Sequence, residues 1–416
     1  MAPSTKKPTP NGKNLKNKKQ KNNSKNVKSK QQPKAKFSTI KKATAPVKSK
    51  KKSLVTRKEK TIKISTKNVN YSICISTSIL NNCSNLEQIT YTLYQVAKSC
   101  TLYNINEIVI LKDSIEPQIK ENDAKGKENR LSKDMIIATI LQFFVTPPYL
   151  VKSVFNKKYW KYFKYCEKLP RVTSLPFMRH VSDSDPENDQ ARYREGLSIR
   201  MEHPNKNKSS TTGGSSKKKE AYQQTKYINV GKSEVLELKN QLIPTNVRVT
   251  CDLVERKVVS PEEAYGDYFG MKSSYGYHIR VVDRFSQVFM NAIANYSQTL
   301  WINSGDFYFD KESKSYAKLV SKIPALTKII KASDSEEATN EENKASEEVP
   351  QILLMFGKWK NLATHFNANS AKDFDDGVQL HDFFDAELQL PKAVPMGNIR
   401  TEDAVMIALT MLDTLY

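Results

Sequence analysis

The sequence lacks the features that define membrane and secreted proteins. It contains no uncharged run close to the roughly 18–20 apolar residues that a spanning helix requires, and its N-terminus has no apolar signal core. Its five cysteines are odd in number, scattered and never spaced as Cys-x-x-Cys, which argues against a disulfide framework and a zinc site. We therefore expect a soluble intracellular chain with no membrane partner and no metal.

The first sixty residues almost lack acidic side chains. Residues 1–60 hold 21 basic side chains and one acid, Glu59, whereas the other 46 basic and 43 acidic side chains leave residues 61–416 at only +3. Such a segment cannot bury enough apolar surface to offset the entropy of ordering its backbone. We predict a disordered basic tail over residues 1–63. Its charge favours sequence-independent, salt-sensitive RNA binding or nuclear targeting through the cluster Lys48 to Lys52.

Beyond the tail, apolar strands alternate with helical periodicity. Asn70 to Thr77 and Ile105 to Leu111 are typical of strands, and Leu86 to Leu102 between them has helical spacing. Near the C-terminus, Thr299 to Asn303 and Gln351 to Phe356 are further apolar runs. Because strands that are apolar on both faces belong to parallel sheets covered by helices, we predict an α/β fold.

Two low-complexity segments interrupt this pattern. Residues 204–220 predict a flexible linker, and residues 332–348 predict an acidic disordered loop. Between them, short β-like runs separated by turn residues occupy residues 222–268 and continue to Gly276 to Val282. Such spacing indicates a small barrel or meander inserted into the α/β domain.

The common catalytic and nucleotide-binding motifs are absent. There is no G-x-G-x-x-G and no G-x-S-x-G, and the five histidines show no metal-ligand spacing. Gly231-Lys232-Ser233 resembles the end of a phosphate-binding loop, but Lys226 replaces the glycine required five residues earlier, so a β-turn is favoured. The catalytic residues are therefore unknown from the sequence.

Three C-terminal segments place a turn after a strand or before a helix, where ligands of open α/β sheets bind. They are Trp301 to Asp306, Leu354 to Gly357 and Asn398 to Ala404, the last leading into a helix over Thr401 to Leu415 with Thr401 as its N-cap. Each segment alone is ordinary connection chemistry.

The last segment, Asn398-Ile399-Arg400-Thr401-Glu402-Asp403-Ala404-Val405, closely resembles the Ile-Arg-Thr-Glu-Glu-Ala signature of a eukaryotic and archaeal branch of the SPOUT RNA methyltransferases. Further matches follow in the family's order, including Pro147-Pro148-Tyr149-Leu150, Arg194-Glu195-Gly196 and Tyr227 to Gly231. The resemblance covers roughly Thr66 to Tyr416.

This resemblance implies a SPOUT domain in two parts, residues 66–200 and 270–416, with a deep trefoil knot in the second part and an OB-like RNA-binding insertion at residues 222–268. It implies that S-adenosyl-L-methionine lies bent among the knot loops, that RNA is the partner and that the protein is a homodimer. The cofactor-binding residues expected from it are Ser304, Gly357, Leu388, Gln389, Leu390, Pro391, Arg400 and Thr401.

Three loops depart from the family pattern. Ile302 to Phe307 lacks the arginine of Gly-Thr-Ser-Glu-Arg-Gly, Lys358 replaces the second glycine of Phe-Gly-Gly, and Leu388 to Val394 differs from Asn-Thr-x-Pro-x-Gln-Gly. Two functions therefore stay open: an S-adenosylmethionine-dependent RNA methyltransferase acting on ribosomal RNA, and a cofactor-degenerate RNA-binding or ribosome-assembly factor. A chromatin-associated interaction protein has only the tail in its favour. Either leading function predicts a nuclear, and specifically nucleolar, protein.

A basic and aromatic stretch at residues 157–165 is left over. It interleaves lysines with five aromatic side chains: Tyr159, Trp160, Tyr162, Phe163 and Tyr165. The rings either stack on RNA bases or pack one face of a helix into the core, and we favour the core.

Overall fold

The computed structural model describes residues 58–64, 69–113, 131–178, 192–200, 223–266, 276–293, 295–312, 314–318, 323–331, 349–369, 373–374, 377–392 and 399–414. The predicted linker at residues 204–220, the predicted acidic loop at residues 332–348 and residues 1–57 of the predicted tail lie outside these ranges.

The described residues form strands of two to seven residues and helices of four to 17 residues. The strands are β1 (Glu59–Ile64), β2 (Asn70–Ser76), β3 (Glu107–Leu111), β4 (Tyr193–Ser198), β5 (Gln224–Thr225), β6 (Tyr227–Asn229), β7 (Leu236–Glu237), β8 (Ile243–Pro244), β9 (Arg248–Asp252), β10 (Lys257–Val259), β11 (His278–Val282), β12 (Gln298–Asn303), β13 (Phe307–Asp310), β14 (Ser315–Lys318), β15 (Ala325–Lys331), β16 (Gln351–Phe356) and β17 (Ala386–Gln389). The α-helices are α1 (Leu86–Leu102), α2 (Lys133–Phe144), α3 (Val151–Val154), α4 (Pro261–Tyr265), α5 (Phe285–Met290), α6 (Trp359–Asn369) and α7 (Thr401–Thr414).

An eight-stranded sheet lies at the centre, in the order β1-β15-β17-β12-β16-β2-β3-β11. Every pairing within it is parallel. The α/β class with a parallel sheet, predicted from the apolar strands, is therefore confirmed.

Side-chain alternation explains why the central strands are apolar throughout. In β2, Ile73 and Ile75 pack on the face covered by α1, α2 and α7, whereas Cys74 points to the opposite face with residues of α5 and α6. Because a strand has a period of two, a sheet covered on both sides needs apolar residues at every position. Burying each large aliphatic side chain contributes roughly 1.5–3 kcal/mol.

Several strands lie where the sequence predicts something else. β1 begins at Glu59, inside the predicted tail, and pairs with β15, so the disordered tail cannot extend to residue 63. The run Gly276 to Val282, which strand spacing alone groups with the insertion, supplies β11, which pairs with β3 in the large sheet, as the expected domain boundary at residue 270 requires. Leu388 and Gln389, predicted in a loop, belong to β17 beside β12.

A second, antiparallel sheet has the order β10-β9-β4-β6-β7. Most of its strands come from the predicted insertion at residues 222–268, but β4 precedes that range and pairs with both β9 and β6. The strand that contains Arg194-Glu195-Gly196 is thus central to the small sheet.

Composition-based exclusions can be compared with the described residues. None of the helices in these ranges is both long and apolar enough to cross a membrane. Within the same ranges, His, Cys, Asp and Glu side chains form no group of three or more that could hold a metal ion. The five cysteines are free thiols, and all except Cys83 are buried, as expected of small core residues.

Candidate functional site

The strand order reverses direction between β2 and β12. From β2 the chain adds β3 and β11 on one side, then crosses back to place β12 and later β17 on the other side, with β16 between β2 and β12. In open parallel sheets the crevice at such a switch point, outside the carboxyl ends of the strands, is the usual ligand site.

A cavity of about 340 Å³ lies at this switch point. Its walls are the segments that follow β2, β12 and β16, together with the first turn of α7. The lining residues are Ser78, Ile79, Asn81, Asn82, Ile302, Ser304, Phe356, Gly357, Lys358, Asn361, Ile399, Arg400, Thr401, Glu402 and Ala404. The volume is within the range of roughly 300–1,000 Å³ of small-molecule sites.

Asn303 organises the loop after β12. Its buried Oδ1 accepts hydrogen bonds from the backbone N–H groups of Gly305 and Asp306, each at 2.9 Å, and its Nδ2 donates to Glu387 of β17 at 2.7 Å. The Ser304 carbonyl accepts from the Ile399 N–H at 3.3 Å. One side chain therefore shapes the loop, and the loop backbone contacts the signature segment.

Asp306 connects this loop to the loop after β16. Its carboxylate accepts from the Trp359 N–H at the start of α6 at 2.7 Å. Burial raises the pKa of Asp306, and this hydrogen bond and the charge of Lys358 partly offset that shift. Asp306 and Lys358 both occur where the sequence departs from the family motifs, and they interact through their opposite charges.

Gly357 has a backbone φ of +153°, which side-chain-bearing residues rarely adopt. Its carbonyl accepts from the Trp301 indole at 3.0 Å. A Cβ placed on Gly357 would lie 3.5 Å from Leu362 of α6. The glycine is therefore required by backbone conformation, and a large side chain at residue 357 would meet Leu362.

Hydrogen bonds of Asp113 stabilise the segment that follows β2 and lines the cavity. Nε2 of His365 lies 2.7 Å from Oδ1 of Asp113, and the Ser76 hydroxyl donates to the same oxygen at 3.2 Å. The Asp113 N–H donates to Thr77 at 2.9 Å. Burial opposes ionisation of Asp113, but the interactions with His365 and Ser76 prevail and lower its pKa. This cluster holds the 3-10 turn Thr77–Asn82, which carries Asn81 and Asn82 to the cavity.

The signature segment begins α7 at Thr401, as predicted, but Thr401 is not the N-cap. The Arg400 carbonyl accepts from the Ala404 N–H at 2.8 Å, so Arg400 occupies the cap position and Thr401 is the first helical residue. Nε of Arg400 lies 2.6 Å from Glu402, whose pKa is raised by burial. These charged groups form the edge of the cavity.

The structure brings four of the eight predicted cofactor residues together: Ser304, Gly357, Arg400 and Thr401 all line the cavity. Leu388, Gln389, Leu390 and Pro391 are outside its lining. The Leu388 and Leu390 side chains are buried in the core, and the Leu390 N–H donates to the Asn303 carbonyl at 2.9 Å. The last two residues of the predicted loop, 393 and 394, lie outside the described residues, as do residues 395–398.

Sequence reasoning missed Asn81, Asn82 and Asn361. The first two follow the predicted first strand, and their position after a strand end was the available signal. Asn361 lies on α6, which begins two residues after Gly357.

A polar cavity at the switch point of a parallel α/β sheet is typical of the class of proteins that bind a small ligand beside the carboxyl ends of their strands. The profile of a family described as "Putative RNA methyltransferase" matches residues 70–412. The chain belongs to this family of SPOUT-class RNA methyltransferases.

Curated relatives agree with this assignment. The chain is 36% identical to a Saccharomyces cerevisiae protein named "Putative methyltransferase YGR283C", over 91% of this chain and 97% of the relative. It is 38% identical to a second yeast protein, "Putative methyltransferase YMR310C", over 83% of this chain and 94% of the relative. A Mus musculus protein named "28S rRNA (uridine-N(3))-methyltransferase" is 24% identical over 82% of this chain and 75% of its own length.

Proposed function

We propose that the protein is an S-adenosylmethionine-dependent methyltransferase that modifies ribosomal RNA during ribosome biogenesis. The observation that carries the proposal is the cavity at the carboxyl ends of β2, β12 and β16, lined in part by the family signature. The name of the mouse relative supports ribosomal RNA as the substrate and a uridine as the acceptor.

The lining residues fit S-adenosylmethionine. Arg400 and Lys358 supply positive charge for a carboxylate, and Glu402 supplies negative charge for an ammonium group. Asparagine amides can donate and accept hydrogen bonds to ribose hydroxyls and an adenine edge. Apolar surface for a base comes from Ile79, Ile302 and Phe356.

The reaction requires little covalent chemistry from the chain. S-adenosylmethionine, when bound, supplies a methyl group that is already activated. The protein's own contribution is to hold donor and acceptor in line and to exclude water, which can account for much of a barrier of this kind. The hydrogen bonds of Asn303 and Asp306 prepare the loops for this positioning before any ligand binds.

The finer features of the fold belong to the same proposal. We expect residues 66–200 and 270–416 to form one SPOUT domain with the knot in its second part, and residues 222–268 to act as an OB-like RNA-binding insertion. The antiparallel small sheet, β10-β9-β4-β6-β7, supports this role of the insertion. We also propose that the protein functions in the nucleus and accumulates in the nucleolus.

The proposed assembly is a homodimer that completes the active site across its interface. Partly exposed apolar residues of α7, among them Ile407 and Met411, support a subunit contact there. Sedimentation equilibrium should show dimers at micromolar concentration. A monomer at all accessible concentrations would exclude a site shared between subunits.

The direct test is binding of S-adenosylmethionine to the purified full chain. If the folded protein binds RNA and does not bind this cofactor, the three loop departures indicate that the cofactor site has been lost. The protein is then a cofactor-degenerate RNA-binding or ribosome-assembly factor.

A further inference from the structure

A second cavity opens beside the first one. Its volume is about 570 Å³, and the two cavities share Asn82, Arg400 and Glu402. These three residues therefore form a wall between the two cavities, and a ligand in the second cavity would contact the side of this wall that faces away from the first cavity. Nothing in the proposed cofactor site uses this second space.

Two tyrosines line the second cavity. Tyr91 of α1 has an exposed fraction of 55%, and Tyr165 is half-buried. The amide side chains of Asn85 and Gln88, at the start of α1, line the same space. Aromatic faces combined with amide groups are suited to a nucleobase, because every base has a stacking face and a hydrogen-bonding edge.

A run of exposed lysines precedes Lys168, which lines this cavity. Lys157, Lys158, Lys161, Lys164 and Lys168 are all exposed, and Glu167 is the single acid between residues 157 and 168. The amino groups of Lys164 and Lys168 lie 5.5 and 5.4 Å from the Tyr165 ring centroid. Two positive charges therefore lie near the Tyr165 ring, which suits a base flanked by phosphates, while the carboxylates of Glu87 and Glu402 line other parts of the cavity.

The two explanations left open for this aromatic stretch apply to different residues. Tyr162 and Phe163 are buried in the main core, as the favoured explanation predicts. Tyr165 instead lines the second cavity beside Lys168.

We propose that the second cavity binds an unpaired nucleotide that flanks the acceptor in the substrate RNA, with its base against Tyr165 and Tyr91 and the neighbouring phosphates near Lys164 and Lys168. The inference rests on the proposed function, since it places a flanking nucleotide across the Arg400–Glu402 wall while the acceptor itself enters the first cavity with the methyl donor. The RNA must be unpaired there, because a base enters a pocket only when it leaves its stack.

Photochemical cross-linking tests the position. The full-length protein is irradiated with a short oligouridylate that contains 4-thiouridine, without S-adenosylmethionine, and cross-linked peptides are mapped by mass spectrometry. We expect cross-links in peptides containing Tyr91 or Tyr165. Cross-links confined to the small sheet or the tail would overturn the proposal.

Affinity measurements supply matched variants. Tyr165→Leu should weaken oligouridylate binding by roughly 5- to 150-fold, the effect of losing one base–aromatic stack. Lys168→Ala, an exposed position, should weaken it less and reduce the salt dependence. The controls Trp160→Leu, in the same stretch but outside the cavity lining, and Lys328→Ala, on β15, should bind as the wild type does.

Calorimetric titration with S-adenosylhomocysteine separates this proposal from the proposed function. Tyr165→Leu and Lys168→Ala should bind it as tightly as wild type. If wild type does not bind it, the proposed function fails, and the cross-linking result still decides the RNA site. Unchanged RNA affinity in Tyr165→Leu would overturn the proposal. A Tyr91→Glu variant that becomes monomeric and keeps its RNA affinity would also overturn it, because that result assigns this face to a subunit contact.

Discussion

At the scale of single residues, a few buried polar side chains determine the shape of the cavity. Asn303 contacts its own loop, β17 and, through the adjacent carbonyl of Ser304, the signature segment. Asp113 and His365 have a similar role under the wall after β2. None of these three residues lines the cavity, yet each fixes residues that do.

Replacing Asn303 by alanine should destabilise the protein and weaken cofactor binding together. The change leaves the buried Gly305 N–H and the partly buried Asp306 N–H without their acceptor and removes the donor to buried Glu387, so we expect a loss of roughly 2–3 kcal/mol in the free energy of unfolding. Urea denaturation and titration with S-adenosylmethionine measure the two effects.

The exposed Asn361 provides the control, because it lines the same cavity. Asn361→Ala should change the free energy of unfolding by less than about 0.5 kcal/mol. Equal stability of the two variants would show that Asn303 does not organise the loop.

At the scale of elements, the small sheet is attached to the α/β domain through β4. The Tyr149 hydroxyl donates to the Glu195 carbonyl at 3.1 Å, and Arg248 donates to the Val145 carbonyl after α2 at 2.7 Å. Gly231, with φ at +73°, packs so closely on Tyr149 that a Cβ would lie 2.3 Å from its ring. This packing explains Gly231-Lys232-Ser233 as a turn rather than a phosphate-binding loop.

The buried Glu195 makes this attachment sensitive to pH. Its carboxylate contacts Arg248 at 3.1 Å and Thr250 at 2.8 Å, but burial raises its pKa from the ordinary value of 4.5 to about 7. The folded state therefore binds more protons than the unfolded state between these values. The contribution of Glu195 to stability is therefore fully present below pH 4.5 and is lost as the pH rises through about 7.

Glu195→Gln should remove this contribution. Wild type should lose up to about 1.4 kcal/mol per pH unit more than the variant across that window. Urea denaturation of both proteins at several pH values measures the difference, and the other titrating groups cancel. Identical slopes for the two proteins would mean that Glu195 stays ionised in the folded state.

Local sequence patterns predicted some elements and missed others. The periodicity of α1 and the apolar run of β16 gave their bounds directly, because both elements are specified by local composition. β17 has the sequence AELQ, with no apolar or β-branched run, and its buried Glu387 accepts a hydrogen bond from Asn303 of β12. Its place between β12 and β15 depends on distant contacts that local patterns do not record.

Some residues of the candidate site were likewise predictable from the local sequence, and others were not. Ser304, Gly357, Arg400 and Thr401 were predictable because each follows a recognisable strand or starts a recognisable helix. Asn81 and Asn82 join them only because β2 lies beside β16, which is a property of strand order. Leu390 was assigned to the cavity, but its position next to β12 places it in the core.

At the scale of the whole molecule, most of the net positive charge lies in an N-terminal segment that does not contribute to the candidate site. Residues 1–55 contain 18 lysines and no acidic side chain, and the cavity is built from residues 78–404. The tail supplies charge without a base-reading geometry, so its contribution to RNA binding should be general rather than specific.

Deletion of residues 1–55 should weaken binding to unrelated single-stranded RNA and flatten its dependence on salt, because fewer counterions are released. The deletion keeps β1 intact. Nucleolar accumulation of a fluorescent fusion should fall as well. A tail of the same composition in shuffled order should restore the salt dependence, and an unchanged salt slope after deletion would show that the tail does not contact RNA.

The central claim is that the cavity at the switch point binds the methyl donor. Isothermal titration of the full chain with S-adenosylmethionine measures this directly. We predict saturable binding of one molecule per chain, abolished by Ser304→Trp, which fills the cavity, and retained by Ser297→Trp, near the amino end of the same strand. Absence of binding to the folded wild-type protein, or equal binding by Ser304→Trp, would contradict the account.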